Sequence, residues 1–264
     1  MKRTIIFSHG DKGGVGKSVV AALLVDMALR QFGKATLIEG DTTTPDVQGR
    51  YVNSDGVLST AIPLNLAGDV STAIASLAGW LENANQEDHA VTVVNLPANA
   101  SETLDGLADM LVSVCEDLGY DVAACYSIGK GADAANSLKR SLEDGLLSRL
   151  DADRRLVVVP EFFGGKESFI WFTRPDAGNY RYRQAVIPRL EPTPVADLIF
   201  KAPGAFSTME RNKPSGFGVY HTHALRRWLK ASHAALAPIF PDPETADRGV
   251  EEQGKEEGGH HGDA

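Results

Sequence analysis

Two cysteines in 264 residues cannot build a disulfide framework, and both of them, Cys115 and Cys125, sit in apolar segments. A reducing, cytoplasmic setting is the expectation. No run of eighteen apolar residues occurs anywhere, which argues against a helical membrane span. Met1 leads into a strand-like stretch with no signal-type apolar core and no small-residue cleavage site. An excess of basic charge is missing too. The formal net charge is −9, but residues 241–264 hold eight acidic and two basic side chains, so the body is close to balance. Global charge therefore argues neither for nor against a nucleic-acid partner, since a local basic patch would vanish in that sum.

With 43% hydrophobic residues the chain can bury one sizeable core. Short apolar runs alternate with longer amphipathic ones, the pattern of repeated strand–helix–strand units on a parallel sheet. Strands are predicted over 4–8, 35–39, 91–96, 122–127 and 156–159, with helices over 17–32, 70–81, 101–118 and 133–150. Ser101 is the expected N-cap of the third helix. The fold class that follows is α/β, a doubly wound, mostly parallel sheet flanked by helices. After Pro160 the pattern loosens; short strands at 169–172 and 185–190 and a last helix over 220–236 are expected. Residues 1–240 read as one nucleotide-binding domain and 241–264 as a disordered acidic tail, because the tail lacks the apolar surface that would offset its ordering. His260 and His261 read as a solvated pair in that tail and not as metal ligands.

The segment FSHGDKGGVGKSVVAALL carries the chemistry. Gly13, Gly14 and Gly16, with Val15 between them, lie between an apolar strand and an apolar helix, where backbone amides must approach an anion without side chains in the way. Lys17 can bring its ammonium to the β and γ phosphates of a nucleotide, and Ser18 can offer a hydroxyl to Mg²⁺. The strict G-x-x-x-x-G-K-[ST] pattern is broken, because Asp11 occupies the place of the first glycine while an extra lysine, Lys12, precedes the glycine pair.

That departure resembles the deviant Walker A box of the MinD/ParA family of P-loop ATPases. The resemblance implies ATP and Mg²⁺ as ligands, an ATP-dependent homodimer in which Lys12 crosses to the partner's nucleotide, and a role in partition, positioning or transfer of plasmid or other mobile DNA. LIEGDTTTPD resembles the family's switch segment. Asp41 then matches the aspartate that positions water, in contact with Mg²⁺ through water, while Glu39 and Asp46 fall where the family often has Asp and Asn. VTVVNLPAN resembles a Walker B strand, but with Asn95 where an aspartate is expected. An amide carries no charge to steady Mg²⁺, so slow hydrolysis is expected, and Asn95→Asp should leave the rate equal or raise it. The alternative is a scaffold that binds ATP and scarcely hydrolyses it.

Residues 172–176, FTRPD, distantly resemble a guanine-reading T-K-x-D. The alternation of Tyr180, Arg181, Tyr182 and Arg183 could contact DNA or face solvent as a strand. Around Arg226, Arg227, Trp228 and Lys230 the last helix has a basic and an apolar face; packing of Trp228 on the sheet is the expectation, and membrane binding is disfavoured. DNA or a DNA-bound adaptor is therefore the expected partner besides a second copy of the chain.

Overall fold

A computed structural model describes residues 3–10, 12–64, 70–84, 89–98, 100 and 104–242. Asp11, the Ser101 cap and residues 243–264 of the acidic tail lie outside the described residues.

Seven strands form a single parallel sheet, β1 (Arg3–His9), β2 (Ala35–Glu39), β3 (Val57–Ala61), β4 (Val91–Asn95), β5 (Tyr120–Ser127), β6 (Arg155–Pro160) and β7 (Arg183–Ile187). Their spatial order is β3-β2-β4-β1-β5-β6-β7. Helices α1 (Lys17–Phe32), α2 (Asp46–Tyr51), α3 (Val70–Ala84), α4 (Ala108–Asp117), α5 (Ala132–Glu143), α6 (Ile170–Thr173), α7 (Thr193–Lys201) and α8 (Val219–Leu236) complete the layers. Crossovers between parallel strands are right-handed, so their direction decides the face each helix covers. The steps from β1 to β2 and β2 to β3 run one way, and α1 and α2 share one apolar core with α7 and α8. The steps from β3 to β7 run the other way, and α3, α4 and α5 build the second core on the opposite face.

The reversal of direction falls at β1. In open parallel sheets the crevice for a ligand lies at the carboxyl ends of the strands at such a switch point. Helix α1 leaves from there, and Val20 to Ala28 are all buried, so it is apolar nearly all round, as a helix clamped between the sheet and α8 must be.

Several elements differ from the sequence reading. Residues 169–172, expected as a strand, contribute to the single helical turn α6, in which Trp171 is buried and donates its Nε1–H to Tyr182 Oη at 2.8 Å. The helix predicted over 133–150 stops at Glu143; Gly145 breaks it, and residues 146–149 continue as a 3₁₀ turn. Strand β3 and helices α2 and α7 were not anticipated.

Candidate functional site

Helix α1 begins without a side-chain cap, and no carboxylate stands in its first turn. Its early backbone amides and positive dipole end are thus available to an anion. The loop that reaches it depends on glycine. Gly10 has φ +149°, and a Cβ there would meet Ser127 O at 2.6 Å, so the chain can pass β5 only without a side chain. Gly16 has φ +93°, which L side chains rarely adopt, and its face lies against the Phe162 ring, with an added Cβ at 3.3 Å. Gly13 and Gly14 are exposed, and a Cβ on either would point into open space.

Ser8 Oγ donates to Lys17 O at 2.8 Å and ties the end of β1 to the helix it feeds. Lys17 is buried, and its Nζ donates to Lys12 O at 2.8 Å, so the ammonium is held within the loop. Lys12 is exposed and pairs through Nζ with Asp133 Oδ2 of α5 at 2.9 Å. The loop places Gly13, Gly14, Val15, Gly16, Lys17 and Ser18 together, with Lys12 at its rim.

Across the same edge, register sets Ser8, Asn95 and Glu39 side by side on β1, β4 and β2. Asn95 Nδ2 donates to Glu39 Oε1 at 2.7 Å, and both residues are buried. Glu39 also accepts from the backbone amides of Asp41, Val47 and Gln48 at 3.2–3.3 Å. Burial raises its carboxyl above the usual range, while the Asn95 amide and the three backbone amides pull it back. The Asn95 Oδ1 atom is buried without a hydrogen-bond partner among the described residues. Asp41 is half-buried, and its Oδ1 accepts from Thr43 N and Thr44 N at 3.2 and 3.1 Å, closing a turn just past β2. Among the described residues no cluster of three or more His, Cys, Asp or Glu stands ready to hold a metal ion. Magnesium suits such a place, because it keeps most of its waters and leans on phosphate oxygens with one or two protein groups. Ser18 stands in the first turn of α1, and Glu39 and Asp41 are carboxyl groups at that edge.

Sequence reasoning missed a second part of the site. A cavity of about 300 Å³ opens beside Gly16, walled by Val15, Val19, Pro160, Phe162, Pro188 and Arg189. It is mostly apolar and is built from the loop, α1 and the segments following β6 and β7. The only signal in the sequence was the pair of prolines that end those strands.

Other candidates are placed elsewhere. Asp176 is bound by Arg174 at 3.0 and 3.1 Å and by Lys139 at 3.0 Å, which holds its carboxyl down at about 2, so the residues of FTRPD take part in an ion-pair network. Tyr180 donates to Glu143 Oε1 at 2.5 Å, and Tyr180 and Tyr182 pack against Trp171. Trp228 is buried and donates to Pro188 O at 2.9 Å, the packing role expected of it. Among the described residues no helix is long and apolar enough to cross a membrane.

A parallel sheet that reverses direction at β1, with a glycine loop running from that strand into an uncapped helix, is the fold of the P-loop nucleotide-binding proteins. The chain is similar to the septum site-determining protein MinD complexed with Mg-ADP from Pyrococcus horikoshii, with a TM-score of 0.51 and 15% identity over 90% of this chain and 98% of that one. A nucleotide-binding protein in complex with ADP from Archaeoglobus fulgidus aligns with a TM-score of 0.44 and 14% identity, covering 70% and 81% of the two chains. In sequence, the chain is 28% identical over 146 residues to Protein MobD of Acidithiobacillus ferrooxidans. That stretch is 54% of this chain and 59% of MobD. No family model matches the chain.

Proposed function

We propose that this chain binds ATP·Mg²⁺ and acts as a dimerising switch ATPase of the MinD/ParA type, serving partition, positioning or transfer of plasmid or other mobile DNA. The observation that carries the reading is the loop itself, with Lys17 turned into it and a second lysine, Lys12, on its rim. Phosphates sit on the loop amides with Lys17 beside them, Ser18 takes Mg²⁺, and the apolar cavity next to Gly16 receives the base against Phe162. Asp41 orients water. Lys12 serves the partner's nucleotide, leaving Asp133 on dimerisation; an exposed pair of this kind holds it by only about 0.2–1 kcal/mol. The cargo follows from family analogy alone.

Titration of a fluorescent ATP analogue with Mg²⁺ tests the nucleotide reading. Binding should be lost in Lys17→Ala, and undiminished binding there would overturn the assignment. A second reading, an ATP-binding scaffold that scarcely hydrolyses, is favoured by one observation: Asn95, an uncharged amide, ends β4 where an aspartate is expected. Multiple-turnover phosphate release, with and without DNA, separates the two.

A further inference from the structure

The cavity beside Gly16, about 300 Å³, stands at the lower end of the range for ligand pockets, so it suits one ring system and not a whole nucleotide. Apolar walls hold a flat ring but do not choose between rings of similar size. That choice falls to the few polar groups that meet the edge of the ring. Three polar side chains lining the cavity can do so, Arg189, Thr193 and Asp197. Trp228 lines it as well, but its Nε1–H is already given to Pro188 O at 2.9 Å.

Helical spacing brings the acid to this place. Thr193, Ala196, Asp197 and Phe200 stand at i, i+3, i+4 and i+7 of α7, which makes them one stripe, and all four line the cavity. Val195 and Ile199, buried on the adjoining face, lock the helix into the core it shares with α1, so packing fixes which way the stripe looks.

The three polar groups are not equally available. Arg189 leans back on Glu191, with Nε 3.5 Å from Oε1. Asp197 is exposed, and its carboxylate makes no ion pair or side-chain hydrogen bond among the described residues. A carboxylate only accepts, so the ring nitrogens and carbonyl oxygens of a base do not suit it. The exocyclic amino group that adenine and guanine both carry does.

We propose that Asp197 is a specificity-determining residue that accepts a hydrogen bond from the exocyclic amino group of a purine held against Phe162, which is N6 of adenine in the ATP reading. The proposal rests on the phosphate site assigned to the loop, since it is the phosphates that bring the base to this cavity. A purine without the amino group leaves the carboxylate facing a ring edge it cannot bond, and the site tells the two apart by that one contact.

Calorimetric titration of the native chain and of Asp197→Ala, with Mg²⁺ and ATP, GTP, purine riboside triphosphate or pyrophosphate, tests this. ATP should bind the variant roughly five- to twenty-fold more weakly. Purine riboside triphosphate, which lacks the amino group, and pyrophosphate should bind both chains alike. Asp197→Asn, which keeps an acceptor oxygen, should recover most of the loss. A loss confined to GTP would uphold the role of Asp197 and overturn adenine as the base. Unchanged binding of both ATP and GTP in Asp197→Ala, or an equal loss for purine riboside triphosphate, would overturn the proposal while leaving the phosphate site standing. A native chain that binds none of the four, pyrophosphate included, would overturn the phosphate site and the proposal with it.

Discussion

Asn95→Asp is the substitution on which the resemblance and the geometry disagree most. By resemblance it restores a Walker B aspartate and should not harm activity. In the structure it sets a second carboxylate about where Asn95 Nδ2 now donates to Glu39 Oε1 at 2.7 Å, between two buried residues. Two unit charges at that separation repel by about 6 kcal/mol at an effective dielectric constant of 20. The pair can escape part of this by keeping one proton between its two carboxyls, as close carboxylates do. We expect a net cost of about 2–4 kcal/mol near pH 8, a fall in Tm of roughly 5–15 °C for a chain of this size.

The pH dependence gives the sign. Glu39 already has its carboxyl raised by burial, and a carboxylate neighbour raises it further. A group raised in the folded state contributes stability that is fully present below its unfolded value, near 4.5, and is lost as pH rises through the folded one. The variant should therefore stand nearest the native chain at about pH 5 and fall furthest behind at pH 8. Thermal melts at the two pH values measure this, with phosphate release alongside. An Asn95→Asp chain that melts with the native one at pH 8 and turns over faster would refute the reasoning and make Asn95 a simple stand-in for the aspartate.

Lys12→Ala should block ATP-induced dimerisation in ultracentrifugation while leaving monomer binding intact, and Asp133→Ala, which frees Lys12, should tighten the dimer about two- to five-fold. Phe162→Ala should weaken ATP by roughly 1 kcal/mol, about five-fold, while pyrophosphate binding stays unchanged, because the ring serves only the base; equal losses for both ligands would place the base elsewhere. Cys115 and Cys125 are fully buried, and burial pushes both thiols up, Cys115 to about 12. Neither should react with a thiol reagent at pH 8 until the chain is denatured, and prompt labelling of the native protein would contradict the burial.

The elements legible in the sequence are those whose packing repeats locally. Helix α1 and strand β2 fall where expected because apolar periodicity is bounded by Gly33 and Gly40. Strand β3 escaped notice because it is an edge strand, its residues half-buried or exposed, so VLSTA shows no core face. Residues 169–172 misled in the other direction. A short aromatic run has no period long enough to separate strand from buried helical turn, and Trp171 settled into the turn with Tyr182 as its partner. Helix α7 was hidden by Pro192 and Pro194, although proline at the first turn costs a helix nothing it was using.

At the site the same division holds, and it bears on the chemistry. The glycines and lysines of the loop are contiguous, so their task can be read from spacing. The pairing of Glu39 with Asn95 spans 56 residues and exists only because β2 and β4 lie parallel in one register. Read singly, Asn95 is a lost charge. Read with its partner, it is the donor to a buried carboxyl group one strand away, so this edge has its acid on β2 where β4 carries an amide. If the chain hydrolyses ATP, Glu39 is then the carboxylate through which Mg²⁺-bound water would be steadied. On that account Glu39→Gln should slow phosphate release more than Asn95→Leu, which removes the donor but leaves the acid and its three backbone amides in place. The reverse order would return the missing charge to Asn95's own strand and favour a protein that holds ATP without spending it.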